Sequence, residues 1–299
     1  MISKPRILIV GAGGQVGLEL QRSFRDFGEV TAVGRQEVDL AIPDRIRDLV
    51  RRVKPQVLLN AAAYTAVDRA ESEPDLAMAI NAHAPRVLAE EALRLNSLLV
   101  HYSTDYVFDG EGREPWRETD HTNPQNVYGA SKVAGENAIV QTGGNYIIFR
   151  TSWVYGPHGS NFLLTMLRLA RQRNQISVVN DQFGSPTTSI ELANATCAVV
   201  RGVLAGRFGE TNNWAGLYHM TCSGAVSWFG FAEAIFERAG KLLDGKVLAL
   251  IPIAAEDYPT PAKRPHNSVL SNSKLRNRLN VWLSPWEAAL DRVIQALRS

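Results

Sequence analysis

Short apolar runs alternate with amphipathic segments along the first half of the chain. The first run is RILIV at residues 6–10, and the later runs are also rich in Leu, Ile and Val. Between them, apolar residues recur every three or four positions, which is typical of helices packed on one face. Alternating strands and helices predict a Rossmann-type, doubly wound parallel α/β sheet. The predicted strands are 6–10, 30–35, 55–60, 97–103 and 145–151, and the predicted helices are 18–24, 43–53, 74–96 and one that contains residue 128.

After residue 152 the regular alternation of predicted strands and helices ends, and the connections between predicted elements become longer. This predicts a smaller C-terminal α/β domain that binds the substrate. We expect an NAD(P)-binding domain over 1–152, joined by parts of 180–215, and a mainly substrate-binding domain over 153–299. The elements predicted in this part are helices at 161–173 and 189–203, strands at 176–179 and 216–221, and two or three helices from 228 onward.

Composition narrows the classes of function. The chain has 299 residues, 45% apolar and 21% charged, with a net charge of +2. Without a basic run or basic-aromatic alternation, nucleic acid is not an expected partner. Cys197 and Cys222 belong to no metal-binding pattern. Because no apolar run reaches about 18 residues and no signal peptide precedes the first strand, we expect a cytoplasmic protein with no membrane partner.

A glycine-rich turn follows the first strand. Gly11, Gly14 and Gly17 have the spacing GxxGxxG and precede a helix. The first glycine suits a tight turn, the second lets the backbone approach a pyrophosphate, and the third lets helix and strand pack closely. The helix N-terminus offers free N–H groups to phosphates. The turn predicts dinucleotide binding; the alternative is a tight strand-to-helix turn without a ligand.

The end of the second predicted strand bears on the choice of cofactor. Arg35 stands where an acidic residue would bind the ribose 2′-hydroxyl of NAD, and a guanidinium suits a 2′-phosphate. This favours NADPH over NADH; the alternative is a solvated loop arginine. Asp39 and Leu40 are candidates for contacts with the adenine, or else a plain N-cap region of the next helix.

Tyr128 and Lys132 are four residues apart, on one face of a predicted helix. A neighbouring ammonium favours a phenolate and so lowers the pKa of a tyrosine toward the range useful for proton transfer. The alternative is an ordinary surface helix. Thr104 and Asp105 stand at the carboxyl end of the fourth strand, near the same crevice as the glycine turn.

Several strings resemble one family. The order of glycine turn, Thr104 and Tyr-x-x-x-Lys is similar to that of the extended short-chain dehydrogenase/reductase superfamily. Five strings narrow the resemblance to its dTDP-4-dehydrorhamnose reductase family, over essentially the whole chain. They are NAAAYTAVD at 60–68, HYSTDYVF at 101–108, FRTSWVY at 149–155, NDQFGSPT at 180–187 and YPTPAKRP at 258–265.

The resemblance implies hydride transfer from NADPH or NADH to the C4 ketone of dTDP-4-dehydro-β-L-rhamnose. It implies that Tyr128 is the general acid, that Lys132 tunes it and binds the nicotinamide ribose, and that Thr104 contacts the reacting oxygen or tunes Tyr128. Asp105 and Trp153 would contact the nucleotide-sugar substrate. The implied cofactor contacts are Gly14, Gln15, Val16, Asp39, Leu40, Ala63, Tyr64, Thr65, Tyr102, Tyr128 and Lys132.

The resemblance also bears on metal binding and on the oligomeric state. Some members bind Mg²⁺ at a homodimer interface through acidic residues, and Glu19 and Glu191 match two of them. The third position is Gln295, which lacks the charge that Mg²⁺ prefers in its ligands. Arg168 and Arg264 are candidates for the substrate pyrophosphate, or else surface charges.

Two other functions share these features. A nucleotide-sugar epimerase or dehydratase would have the same tyrosine and lysine. Related dehydratases carry Glu directly after Thr-Asp, where this chain has Tyr106. A non-catalytic, cofactor-binding regulatory subunit would have no need of Thr104, Tyr128 and Lys132.

Overall fold

The computed structural model describes residues 4–243 and 249–298. The strands, in chain order, are β1 (Arg6–Val10), β2 (Glu29–Val33), β3 (Val57–Asn60), β4 (Leu98–Thr104), β5 (Tyr146–Thr151), β6 (Val154–Tyr155), β7 (Gln175–Val179), β8 (Phe183–Gly184), β9 (Thr187–Thr188), β10 (Gly216–His219), β11 (Val226–Ser227) and β12 (Ala249–Ile253).

Helices connect these strands. They are α1 (Gln15–Phe24), α2 (Pro43–Val53), α3 (Val67–Ala70), α4 (Pro74–Met78), α5 (Ala84–Leu95), α6 (Val127–Thr142), α7 (Phe162–Gln172), α8 (Ser189–Leu204), α9 (Thr211–Trp214), α10 (Trp228–Ala239), α11 (Ser273–Leu279) and α12 (Trp286–Arg298). A π-helical segment (Ala79–His83) joins α4 to α5, and short 3₁₀ turns occupy Asp105–Val107, Gly240–Leu243 and Ala255–Asp257. None of the helices in the described ranges is long and apolar enough to cross a membrane.

A six-stranded sheet forms the centre, in the order β2-β1-β3-β4-β5-β10. Every neighbouring pair is parallel. Both faces are covered, because Ile7 and Ile9 belong to one buried cluster and Leu8 and Val10 to another. This confirms the predicted Rossmann-type α/β fold, since alternating side chains of a doubly covered parallel strand are all apolar.

The sixth strand differs from the sequence prediction. The sequence pattern predicts residues 216–221 as a strand of the C-terminal part, but Gly216–His219 pairs with β5 and extends the central sheet. The strand is short and follows a long excursion, so its apolar pattern does not reveal its partner. Three two-stranded sheets, β12 with β7, β11 with β8 and β6 with β9, lie outside the central sheet.

The predicted helix over 74–96 is interrupted in the middle. Pro85 lies in the first turn of α5 and has no N–H to donate to the carbonyl of Asn81, four residues earlier. A Cβ on Gly135 would lie 2.1 Å from that carbonyl oxygen. The π-helical segment therefore packs its Asn81 carbonyl against α6, and this contact helps fix the helix that carries Tyr128 and Lys132.

Candidate active site

A cleft of about 730 Å³ opens at the carboxyl ends of β1 and β3. The strand order reverses between these two strands, and doubly wound sheets bind ligands at this switch point. The predicted cofactor residues that line the cleft are Gly11, Gly14, Gln15, Val16, Arg35, Asp39, Leu40, Ala63, Tyr64, Thr65, Tyr102, Tyr128 and Lys132.

The glycine turn is packed so tightly that larger residues do not fit. Gly11 has a φ of +93°, and a Cβ there would lie 2.6 Å from the nitrogen of Ala62. A Cβ on Gly17 would lie 2.0 Å from the oxygen of Gly11, so Gly17 supports the turn without lining the cleft. Within the described chain no side chain caps α1, which starts after Gly14. Its first N–H groups are therefore free to bind an anion.

One end of the cleft is formed by the turn after β2. Arg35 is exposed, Leu40 is buried, and the Asp39 carboxylate accepts a hydrogen bond from the Ala41 N–H at 2.9 Å. Sequence reasoning missed Glu37, whose carboxylate accepts from the Gly34 N–H at 2.8 Å. A carboxylate near the end of β2 is the group that binds ribose hydroxyls in many such folds, and its position two residues after Arg35 was the available signal.

Tyr64 and Thr65 belong to the loop after β3. The Tyr64 backbone is held by Asn81, whose side-chain oxygen accepts from the Tyr64 N–H at 2.8 Å. The Tyr64 hydroxyl donates to Glu73 at 2.5 Å. Asn81 lies in the π-helical segment and also donates to the Ser131 hydroxyl of α6 at 3.0 Å. One buried amide thus links the cofactor loop to the helix of Tyr128.

Helix α6 begins beside the cleft. The Asn126 side chain caps it by accepting from the Gly129 N–H at 2.7 Å. A Cβ on Gly129 would lie 2.2 Å from the Tyr106 carbonyl oxygen, so this glycine lets α6 approach the end of β4. The Tyr128 ring meets the Tyr106 ring edge to face at 5.6 Å. Burial raises the pKa of Tyr128 to about 12, and the Thr104 hydroxyl partly opposes the rise.

The effect of Lys132 on Tyr128 differs from the expectation. Its Nζ donates to the Tyr102 carbonyl at 2.7 Å and lies 3.2 Å from Nε2 of His101. Burial lowers the pKa of Lys132 to about 8, against an opposing effect of Glu136. The causes that act on the Tyr128 pKa are burial, Thr104 and Asp105, so the lowering expected from Lys132 is not seen here. Spacing on a helix places two side chains on one face but does not reveal what each one contacts.

Thr104 ends β4, and Asp105 begins the 3₁₀ turn that follows it, close to Tyr128. The Thr104 hydroxyl donates to Oδ1 of Asp105 at 3.1 Å. Asp105 is 2% exposed, and its Oδ2 has no hydrogen-bond partner among the described residues. Burial raises the pKa of Asp105 to about 6, although nearby Ser268, the backbone of Asp105 itself and the Thr104 hydroxyl lower it. A buried carboxyl with a free oxygen can meet a polar group of a bound molecule.

The other predicted substrate residues are Trp153, Arg264 and Arg168. Trp153 stacks face to face on Trp228, with the ring centroids 3.4 Å apart, and has an unusual φ of +49°. One face of its indole is therefore already covered. Arg264 pairs with Asp68 at 2.8 Å and is thus not a free surface charge. Arg168 is exposed on α7.

Within the single chain, the two candidate metal ligands are already paired with arginines. Glu19 accepts from Arg22 at 2.8 Å, while Glu191 pairs with Arg292 and accepts from the Ser284 hydroxyl at 3.2 Å. No group of three His, Cys, Asp or Glu residues suited to a metal occurs in the described ranges. Each carboxylate already has a guanidinium as its counter-ion, so we derive no step through a metal.

Comparisons with known proteins identify relatives over the whole chain. Residues 5–299 match the family described as the RmlD substrate binding domain. The chain is 46% identical to the dTDP-4-dehydrorhamnose reductase of Burkholderia thailandensis, over 98% of this chain and 99% of the relative. It is 43% identical to the enzyme of the same name from Escherichia coli K12, over 97% of each.

Solved structures agree with these relatives. The fold is similar to that of dTDP-4-dehydrorhamnose reductase from Bacillus anthracis in complex with NADP, with a TM-score of 0.89, 35% identity and coverage of 98% and 99% of the two chains. A UDP-glucose 4-epimerase from Thermus thermophilus, at 20% identity and a TM-score of 0.77, shares the fold alone over 98% of this chain and 99% of that one. The chain therefore belongs to the dTDP-4-dehydrorhamnose reductase family of the extended short-chain dehydrogenases/reductases.

Proposed function

We propose that this protein reduces the C4 ketone of dTDP-4-dehydro-β-L-rhamnose to give dTDP-L-rhamnose, with Tyr128 as the general acid. The observation that carries the proposal is that Tyr128 and Lys132 line the same cleft as the glycine turn. The names of the full-length relatives support the choice of substrate.

The chain's own residues have distinct tasks in this reaction. The first N–H groups of α1 bind the cofactor pyrophosphate, and NADPH supplies the hydride when bound. Tyr128, with a pKa of about 12, stays protonated at neutral pH, so its proton is available to the O4 atom of the substrate. Lys132 contacts the nicotinamide ribose, while Thr104 and Asp105 orient the sugar.

The choice of NADPH rests on Arg35 and on the NADP that the Bacillus anthracis relative holds. An exposed guanidinium would bind the 2′-phosphate, while Glu37 in the same turn can accept from a 2′-hydroxyl. Arg35→Ala should raise the KM for NADPH by about 10- to 100-fold, because a charge-assisted hydrogen bond of about 1.5–3 kcal/mol is lost. The KM for NADH should stay unchanged, and an equal rise for both would contradict this role of Arg35.

The same proposal includes two domains: residues 1–152 bind the cofactor, and residues 153–299 mainly bind the substrate. It also includes a cytoplasmic location for the enzyme. Epimerases and dehydratases use the same tyrosine and lysine but consume no NADPH. Here Tyr106, packed on the Tyr128 ring, stands where a dehydratase has its second carboxylate. A homodimer stays a prediction.

The test is a reaction of the purified protein with dTDP-4-dehydrorhamnose and each nicotinamide in turn. We expect one NADPH consumed for each 4-keto sugar. Tyr128→Phe should lower kcat by about 10²–10⁴-fold and leave cofactor affinity nearly unchanged. Tyr146→Phe, on β5 and outside the cleft lining, is the matched control and should keep wild-type turnover. Sugar conversion without net NADPH oxidation would refute the reductase function.

A further inference from the structure

The indole of Trp153 is in contact with two elements from later in the chain. Trp228 stacks on it with the ring centroids 3.4 Å apart and an angle of 7° between the planes. A Cβ on Gly184 would lie 2.4 Å from Cε2, 2.6 Å from Nε1 and 2.8 Å from Cδ2 of the same indole. Because Cε2 is bonded to both of the other atoms, a point this close to all three lies over the ring and not beyond its edge.

Gly184 and Trp228 therefore cover opposite faces of the indole. Two parallel rings with centroids 3.4 Å apart are in van der Waals contact, and no third group fits between them. The backbone of Gly184 must then lie on the face that Trp228 leaves open. Neither face remains for a sugar ring to stack on, so a bound molecule can reach Trp153 only at the edge of its indole.

That edge carries the one polar group of the side chain, the Nε1–H. It has no hydrogen-bond partner within residues 4–243 and 249–298, and Trp153 is only partly buried. Its neighbours in the chain, Thr151 and Val154, line the cofactor cleft. An indole N–H can only donate, and it normally finds an acceptor when it is taken out of water. An oxygen of a bound molecule would supply that acceptor here.

The backbone of Trp153 is strained into this position. Its φ of +49° is rare for a bulky residue. Such strain persists only where the surrounding structure enforces it, and it clusters at ligand sites. Two hydrogen bonds hold the segment: the Thr187 N–H donates to the Trp153 carbonyl at 3.2 Å, and the Ser152 hydroxyl donates to the Ser185 carbonyl at 3.2 Å.

The stacking partner Trp228 is fixed as well. It is the first residue of α10, directly after the N-cap Ser227, whose hydroxyl donates to Asn180 at 2.6 Å. Phe162 packs on the Trp228 ring with the centroids 4.6 Å apart. The ladder between β8 and β11 joins Gly184 to the strand that precedes α10. Both sides of the indole thus belong to one connected unit.

We propose that Gly184 and Trp228 are positioning residues that clamp the indole of Trp153, so that it recognises the nucleotide-sugar by donating its Nε1–H to an oxygen and not by stacking. The identity of the ligand rests on the proposed function. The clamp itself belongs to the ligand-free protein, so it is tested without any ligand.

The direct test is the ¹H–¹⁵N spectrum of the indole groups of the intact protein, titrated with dTDP-L-rhamnose in the presence of NADP. We expect the Trp153 signal, identified by its loss in Trp153→Phe, to move downfield on saturation, as a new N–H···O hydrogen bond requires. Saturation without a downfield shift would overturn the proposed donor. Failure of the wild type to bind dTDP-L-rhamnose at all would instead refute the proposed function.

Removal of the N–H alone separates donation from stacking. Benzothienylalanine introduced only at Trp153 keeps the two fused rings and has sulfur in place of the N–H. The Kd for dTDP-L-rhamnose, measured by calorimetry, should rise up to about ten-fold. The same replacement at Trp282, which is 65% exposed and outside the cleft lining, should bind as the wild type does. An unchanged Kd with the replacement at Trp153 would overturn the role of the N–H.

Gly184→Ala and Trp228→Leu test the clamp. In the ligand-free protein both should move the Trp153 indole signal, because a methyl group pushes on the ring or the ring current of Trp228 is lost. Both should raise the Kd for dTDP-L-rhamnose about ten-fold and leave the Kd for NADPH unchanged, a split that general loss of folding would not produce. Gly240→Ala, with open space around its Cβ, is the control. An unmoved Trp153 signal in both variants would overturn the clamp.

Discussion

Replacement of Asp105 by Asn should change how stability depends on pH. Burial raises the pKa of this carboxyl from 3.8 to about 6, so the folded protein holds the proton more tightly than the unfolded chain. Ionisation therefore costs stability. The cost is absent below the unfolded pKa, grows as the pH rises, and is complete above the folded pKa.

The magnitude follows from the shift. A difference of about two pKa units corresponds to about 3 kcal/mol at neutral pH. About 2 kcal/mol of this cost should develop between about pH 4.5 and pH 7.5. Asp105→Asn removes the ionisation, while its side-chain oxygen can still accept from Thr104. Any cost of the new amide is the same at each pH and cancels in the comparison.

The assay is urea unfolding of wild type and Asp105→Asn across this range. The variant should gain about 2 kcal/mol relative to the wild type between the acidic and the neutral end. Asp109→Asn is the control, because that aspartate lies in the exposed loop after β4 and should give a curve parallel to the wild type. Parallel curves for Asp105→Asn would refute a raised pKa at this carboxyl.

Two further changes test the glycine turn and the support of α6. Gly17→Ala should abolish cofactor binding in a fluorescence titration, since its Cβ would lie 2.0 Å from the oxygen of Gly11, whereas Gly13→Ala has open space around its Cβ and should bind normally. Glu136→Gln should lower the free energy of unfolding by about 3–5 kcal/mol in denaturant unfolding, because it leaves the guanidinium of Arg150 without its buried counter-charge.

The same experiments contain results that would contradict these arguments. Wild-type affinity in Gly17→Ala would show that α1 can move away from the turn. For the ion pair, the control is Glu90→Gln, whose partner Arg47 lies 3.6 Å away on the surface and should cost at most about 1 kcal/mol. If both variants lost the same free energy of unfolding, burial would add nothing to the contribution of the Glu136–Arg150 ion pair to stability.

Much of the fold was predictable because its signals are local. The bounds predicted for the strand at 6–10 and the helix at 43–53 agree with the structure. The glycines after the apolar run mark the end of the strand, and the proline at position 43 marks the start of the helix. The glycine turn also lies where its spacing placed it. Parallel strands deliver their carboxyl ends to one edge of the sheet, which predicts where the cleft lies. The identity of cofactor residues such as Tyr64, Thr65 and Tyr102 came from the family resemblance.

Contacts between distant segments were not predictable in this way. Lys132 was expected to act on Tyr128, yet its nitrogen contacts Tyr102 and His101 on a neighbouring strand. Trp153 is expected to contact the substrate, and Trp228, far along the chain, covers one face of its indole. Helical or strand spacing fixes the face that a side chain occupies, and only the packed structure supplies its partner.

Strand β10 lies far beyond β5 in the sequence, which has a consequence for synthesis on the ribosome. Strand β5 pairs with β4 on one side and with Gly216–His219 on the other, and its residues Ile147, Ile148 and Phe149 are completely buried. Until about 70 further residues have emerged, β5 is an apolar edge strand open to other chains. Nascent chains halted between these two strands should therefore be prone to aggregation, and a chaperone that binds extended apolar segments would find its target there.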